Sequence, residues 1–382
     1  MSDPTSRPLG VAVVGYSFMG KAHSHAWRNV GAFHPATPPV RQQVLVGRDD
    51  AAVKEAAGRY GWAEAATDWR SVIDRDDVDI VDVCTPGDSH AEIAVAALEA
   101  GKHVLVEKPL ANSVAEGERM VAAAASARGS SMVGFNYRRV PALALARDVI
   151  ARGRIGTVRE VRAAYLQDWL ADDAAPMTWR LRRESAGSGA LGDLGSHVVD
   201  QLHYLLGERV TSASGHLRTF VDTRTGEAGP EPVTVDDTAW ATLTTASGAV
   251  ASLEVSRMAT GRKNGLTIEV YGSRGALSFD LERLNELQVL DGAGNGTSGS
   301  RRVIVTEEDH PYVDAWWPPG HVLGWDSTFV AQAADFLAAV GSGGVPSPTF
   351  AEGLAVQRVL AAIEESSTYA GTRVELPIEE EI

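Results

Sequence analysis

The chain has 382 residues, 44% hydrophobic, with a formal net charge of -15 and a single cysteine, Cys84. That length exceeds one ordinary core and predicts two domains; the surplus of acid argues against a nucleic-acid partner. One cysteine excludes an intrachain disulfide and a cysteine-based zinc cluster, and no apolar run is long enough to span a bilayer. The polar start, Met1-Ser2-Asp3-Pro4-Thr5-Ser6-Arg7-Pro8, lacks the charged, apolar, small-residue order of a signal peptide, so cytoplasmic residence without a membrane partner is expected. The acidic run Glu379-Glu380-Glu381 reads as a solvated, frayed tail.

Residues 1–135 alternate apolar strands with amphipathic helices, the pattern of a doubly wound parallel α/β sheet. Strands are predicted at 9–14, 44–46, 80–84 and 103–106, and the helix at 91–100 stops at Gly101, suited to a left-handed cap. The first strand runs into Gly15-Tyr16-Ser17-Phe18-Met19-Gly20 and then a helix. In that context a glycine turn cradles the pyrophosphate of a dinucleotide. Gly15 permits the tight turn and Gly20 close helix–strand packing; Ser17 replaces the usual middle glycine with a small side chain whose hydroxyl suits a phosphate oxygen. The second strand ends in Gly47-Arg48-Asp49. Gly47 stands where an acid would take the ribose hydroxyls of NAD, Arg48 suits a 2′-phosphate, and Asp49 can still reach a ribose, so the reading leans to NADP over NAD. Thr85-Pro86-Gly87-Asp88-Ser89-His90 follows at the same sheet edge, with His90 open to cofactor contact or a helix cap. Cys84 reads as a small buried residue rather than a thiolate, and His23 and His25 as packing or surface residues. His103-Val104-Leu105-Val106 leads into Glu107-Lys108-Pro109. A lysine at the carboxyl end of a buried parallel strand sits where open α/β sheets bind ligands, and Pro109 restricts the backbone around it.

From residue 136 onward the style changes. Alternating β-branched segments at 158–166, 239–243, 249–255, 266–271 and 287–290 predict a second domain, 136–382, built on a large, mostly antiparallel sheet. A Gly/Ser-rich hairpin connection is predicted at 292–300 and a closing helix pair at 328–340 and 351–370. Gly187-Ser188-Gly189-Ala190-Leu191-Gly192 opens a helix in which Asp193 and His197, spaced i, i+4, share the first turn. With Lys108 they make a Lys/Asp/His set suited to alcohol oxidation: a base near neutral pH takes the hydroxyl proton while hydride leaves for nicotinamide. Asp200 extends the spacing to one that suits a metal, but no further His or Cys cluster supports it and no metal is predicted. Tyr165, Gln167, Asp168 and Trp169 at a strand end, and His321 after a glycine, place rings and polar groups where a polyol needs them. Trp316 and Trp317 read more simply as loop packing. Arg257 is open to an ion pair or a substrate contact, and the lack of a phosphate-specific cluster favours an unphosphorylated sugar or cyclitol.

The Gly15–Gly20 turn, Thr85-Pro86 with His90, Gly101-Lys102-His103-Val104 with Glu107-Lys108-Pro109, and Asp193-Leu194-Gly195-Ser196-His197 together resemble the glucose–fructose oxidoreductase/inositol dehydrogenase/MocA family. The resemblance implies an N-terminal Rossmann domain and a C-terminal α/β domain whose large open sheet often serves for oligomerisation, hence a homodimer or homotetramer. It implies that Lys108 orients and polarises the substrate hydroxyl, Asp193 binds substrate, and His197 is general base or acid. Gly15, Ser17, Phe18, Met19, Gly20, Arg48, Asp49, Thr85, Pro86, His90, Glu107 and Lys108 would line NAD(P), joined by Trp179-Arg180, a dipeptide that touches the nicotinamide half in some members. Other readings are a glycosidase-like or sugar–sugar hydride-cycling enzyme that retains its cofactor, and an NAD(P)-binding sensor.

Overall fold

The computed structural model describes residues 7–291 and 298–377. Residues 1–6, most of the 292–300 connection and the Glu379-Glu380-Glu381 run lie outside the described residues. The chain divides into two compact units, 1–139 with 324–354 and 140–323 with 355–382.

The first unit holds a six-stranded sheet. Its strands are β1 (Leu9–Val14), β2 (Val40–Val46), β3 (Glu64–Ala66), β4 (Ile80–Val83), β5 (His103–Glu107) and β6 (Ser131–Gly134), in the order β3-β2-β1-β4-β5-β6. All five pairings are parallel. Helices α1 (Phe18–Phe33), α2 (Asp50–Tyr60), α3 (Trp69–Ile73), α4 (His90–Glu99) and α5 (Val114–Ser126) provide the crossovers. The order reverses between β1 and β4, where such sheets take their ligands, outside the carboxyl ends of the strands. Val14 pairs with Val83 and Val83 with Val106, so the turn after β1, the loop after β4 and Glu107-Lys108 share that edge.

In the second unit, α6 (Pro141–Ala151) precedes β7 (Val158–Leu166), and α7 (Arg183–Ala186) and α8 (Ser196–Leu206) follow it. Then come β8 (Val210–Arg218), the hairpin β9 (Thr223–Gly226) and β10 (Gly229–Pro232), β11 (Thr238–Thr245), β12 (Val250–Ser256), β13 (Gly265–Gly272), β14 (Gly275–Asp280), β15 (Glu286–Asp291) and β16 (Arg301–Ile304). The chain returns to the first unit in α9 (Ser327–Ser342), leaves it along α10 (Phe350–Thr368), and ends in β17 (Val374–Glu375). The main sheet has nine strands in the order β16-β15-β14-β13-β7-β12-β11-β8-β17. Among the described residues its one parallel pair is β7 with β12. Side chains alternate across it: Val161, Ala163 and Tyr165 of β7 and Ala251, Leu253 and Val255 of β12 are buried, while Arg162, Glu254 and Trp240 are exposed on the opposite face. α8 packs on the buried face of β7, which carries Tyr165 toward it.

The segment 324–354 belongs with the first unit because α9 packs along α1. Thr328 Oγ1 accepts from Asn136 Nδ2 at 2.8 Å, and the buried guanidinium of Arg139 donates to Asp335 at 2.9 Å. Arg138, also buried, pairs with Glu352 at 2.8 Å. Buried guanidinium groups persist only when paired, so these bonds tie the end of β6 to the returning segment.

Candidate active site

Gly15 sits at φ +109°, and a Cβ there would lie 2.6 Å from the Cys84 carbonyl oxygen; a Cβ at Gly20 would lie 1.9 Å from the carbonyl of Gly15. Both glycines are therefore needed for α1 to start against β1 and β4. Ser17 is the N-cap of α1, makes no side-chain cap bond, and the first turn carries no acid. The α1 terminus thus keeps its partial positive charge and a spare hydroxyl, which fits a dinucleotide pyrophosphate. Phe18 is 62% exposed and stacks on Trp325, with centroids 5.5 Å apart and planes 8° apart. Trp325 meets Phe329 edge-on at 4.5 Å.

Arg48 is exposed, while Asp49 caps α2, accepting from the Ala52 amide at 2.9 Å. A Cβ at Gly47 would lie 2.1 Å from the Tyr16 ring, so that ring covers the place where a ribose-binding acid would stand. His90 is buried with both ring nitrogens on main-chain oxygens, Nε2 at 2.9 Å from Thr85 and Nδ1 at 3.0 Å from Pro109. It ties the loop after β4 to the end of the Glu107-Lys108-Pro109 segment. Thr85 Oγ1 accepts from Ser89 Oγ at 2.7 Å. Lys108 is half-buried and joined to Pro109 by a cis peptide. The Glu107 carboxylate is turned inward: one oxygen lies 3.0 Å from His23 Nε2, the other accepts from the Lys108 amide at 3.2 Å.

The sequence places His23 at the surface or in ordinary packing. It instead lies between Glu107 and Asp82, whose Oδ2 is 2.8 Å from His23 Nδ1 and also accepts from Trp27 Nε1 at 2.7 Å. Burial disfavours a charged ring, yet Asp82 beside it more than reverses this and holds the imidazole pKa well above its usual value. The Cys84 thiol lies 3.6 Å from Asp82 Oδ1 and is pushed up by burial and by that carboxylate, consistent with a thiol rather than a thiolate. Among the described residues, His23, Asp82 and Cys84 are also the one set whose ligand atoms approach closely enough for a metal; Asp193, His197 and Asp200 are not such a set.

In the second unit, residues Leu191–Gly195 form a π-helical turn and α8 begins only at Ser196. Asp193 therefore lies in a wider turn ahead of α8 rather than one α-turn before His197. Such turns are frequent at functional sites. Asp236 fixes this loop by accepting from the amides of Gly189 at 2.7 Å and Leu191 at 2.8 Å. A Cβ at Gly189 would lie 1.7 Å from the Asp236 carbonyl oxygen, which accounts for glycine there. Asp236 is buried, and burial raises its pKa against the opposing pull of these amides. Arg257, fully buried, donates to the Asp236 carbonyl at 2.9 Å and lies over the Trp169 ring at 5.3 Å. Burial lowers its pKa while Asp193 and Asp236 oppose the shift.

His197 is 6% exposed. Tyr165 Oη donates to Asn264 Oδ1 at 2.7 Å, Gln167 Nε2 donates to the same oxygen at 2.8 Å, and Trp169 Nε1 donates to Gln167 Oε1 at 2.9 Å. Asn264 carries no signal in the sequence; it enters through the turn before β13. Asp168 points into a different set, accepting from Lys263 Nζ at 2.7 Å and the Gly261 amide at 3.1 Å. The Lys263 bond chiefly holds its pKa down. Trp179 lies in a single helical turn under the Arg180 guanidinium at 4.4 Å. His321 is exposed, with Nδ1 2.8 Å from the Pro318 carbonyl of its own loop, and Trp316 and Trp317 pack together at 6.4 Å. No described helix is long and apolar enough to cross a membrane.

Residues 9–135 match the family model described as an oxidoreductase family with an NAD-binding Rossmann fold, and residues 143–278 match the GFO/IDH/MocA C-terminal domain. The crystal structure of an oxidoreductase domain protein from Kribbella flavida is 54% identical, covers 98% of this chain and all of that one, and has a TM-score of 0.95. Levoglucosan dehydrogenase of Pseudarthrobacter phenanthrenivorans is 41% identical over 376 residues, 94% of this chain and 96% of the relative. A solved levoglucosan dehydrogenase in complex with NADH and levoglucosan has a TM-score of 0.94, covering 97% of this chain and all of that one at 40% identity. Inositol 2-dehydrogenase of Rhizobium meliloti is 28% identical over 305 residues, 80% of this chain and 82% of the relative.

Proposed function

The chain belongs to the glucose–fructose oxidoreductase/inositol dehydrogenase/MocA family of oxidoreductases, and on that premise we propose that it is an NAD-dependent dehydrogenase interconverting a secondary alcohol and a ketone on an unphosphorylated pyranose or cyclitol. Levoglucosan, the substrate named for the 41%-identical relative, is the first compound to test. The observation that carries the reading is the shared carboxyl edge of the parallel sheet, where the uncapped α1 terminus follows β1 and Lys108 follows β5, with β4 paired between them.

A bound nicotinamide supplies the hydride acceptor. Lys108 donates to the substrate oxygen and polarises it as the C–O bond gains double-bond character. His197 takes the hydroxyl proton, and Asp193 holds substrate and imidazole in register. NAD is favoured over the NADP to which Arg48 points, because the solved relative holds NADH. The exposed face of the nine-stranded sheet, around Trp240 and Tyr271, is taken as the surface through which copies associate.

The test is reduction of NAD or NADP, followed by absorbance, over levoglucosan, inositols and aldoses. Turnover with NAD and a sugar, lost by orders of magnitude in Lys108→Ala with cofactor binding retained, is the expected result. Turnover unchanged in that variant would remove Lys108 from the mechanism. Silence across the panel with NAD bound would favour a closed hydride cycle or a sensor. Arg48→Ala should change the KM for NAD by less than about threefold while weakening NADP, the outcome for an exposed charge.

A further inference from the structure

His23, Asp82 and Glu107 are 2%, 0% and 4% exposed. Burying three ionisable side chains costs several kcal/mol per ion unless they are paired, and an apolar filling of the same space is usually no less stable. Stability alone therefore gives no reason for the cluster. Its connectivity does. Asp82 Oδ2 receives one nitrogen of His23, the other nitrogen reaches Glu107 Oε1, and Glu107 Oε2 holds the Lys108 amide. Carboxylates only accept, so the ring serves both as donor when it carries both protons. The His23 ring is packed from α9 by Phe329, at 5.4 Å, and the same Asp82 Oδ2 also accepts from Trp27, one turn further along α1.

We propose that His23 is a positioning residue for Lys108, fixing through its two buried bonds the Glu107 carboxylate that anchors the Lys108 main chain. The proposal rests on the reading of Lys108 as the group that polarises substrate. α1 then has two roles. Its start receives the cofactor, and one turn further along it sets the place of the catalytic lysine.

Four single variants and one double variant separate the possibilities, assayed with NAD and levoglucosan, or the panel sugar that turns over, for kcat, KM, NAD affinity and melting temperature. His23→Gln and Glu107→Ala should lower kcat about tenfold to a hundredfold, the loss expected for slight misplacement of a reacting group. KM and NAD affinity should stay within about threefold. Glu107→Gln keeps an acceptor for the Lys108 amide and should recover most of the loss. In a Lys108→Ala background, adding His23→Gln should cause no further fall, because the two act through one group. Normal kcat in His23→Gln and Glu107→Ala beside an inactive Lys108→Ala would overturn the positioning role alone. An active Lys108→Ala would overturn the reading beneath it. Equal losses in kcat, KM and NAD affinity would mark a merely structural cluster and overturn the proposal. Should the variants not fold, the wild-type protein with ¹⁵N-labelled histidine decides: one ring must still hold protons on both nitrogens above about pH 6.5, where an ordinary imidazole is losing one, and ordinary titration of every ring overturns it.

Discussion

The ring of Tyr165 meets that of His197 edge-on, with centroids 5.9 Å apart and planes inclined at 65°, while its hydroxyl donates to Asn264. Ring and hydroxyl thus make separable contributions. Tyr165→Phe keeps the ring against the imidazole and should cost about 1 kcal/mol of stability for the lost bond, with kcat/KM down by less than about tenfold. Tyr165→Ala removes the ring as well and should cost about 3–5 kcal/mol, with kcat falling more than KM rises. Steady-state kinetics beside thermal melts would check this; equal kcat in the two variants would refute a role for the ring.

Gly47 and Tyr16 form a coupled pair. Gly47→Asp forces a side chain into the Tyr16 ring and should cost about 1–3 kcal/mol as overpacking, with weaker NAD binding. Adding Tyr16→Ala frees the space, so the double variant should regain stability and bind NAD at least as well as Gly47→Asp alone. Chemical denaturation and calorimetric NAD titration measure both; additive losses in the double variant would show that the ring is not the obstacle.

The His23 imidazole has a pKa raised above its usual value, near 6.5, in the folded protein. A raised pKa on a basic group stabilises the fold fully below the unfolded value and less as pH rises through the folded one. The stability difference between wild type and His23→Gln should therefore be widest below about pH 6.5 and shrink toward alkaline pH. Urea unfolding at several pH values would test it; a gap that widens with pH contradicts a cationic ring.

Asp236→Ala strips the acceptor from the Gly189 and Leu191 amides. Two buried N–H groups left without partners cost about 1–3 kcal/mol each, and the turn bearing Asp193 loses its brace. Lower melting temperature together with reduced kcat is the expected outcome. Wild-type kcat in a folded Asp236→Ala protein would show that Asp193 keeps its place without it.

The strand spacing and glycine turns carried the fold, because buried parallel strands and the tight turn after β1 leave local signals. Residues 158–166 were legible as β7 to the residue. The linkages inside the candidate site were less legible. His23 and its partners are separated by 59 and 84 positions, and only the sheet order brings them together. Asn264 and Asp236 act through contacts made by loops, for which no periodicity exists. The α-helical spacing of Asp193 and His197 missed the π-turn, since one extra residue in a turn leaves no mark on a pattern of glycines.

The return of α9 to α1 makes the nucleotide-binding unit discontinuous. A gene fragment ending at residue 139 would omit Phe329 and Phe336 and leave the apolar side of α1 that α9 covers facing water. It would also strand two arginine charges without their carboxylates. The unit is therefore not a cassette that recombination can move by cutting once, and a grafted version must carry residues 324–354 as well.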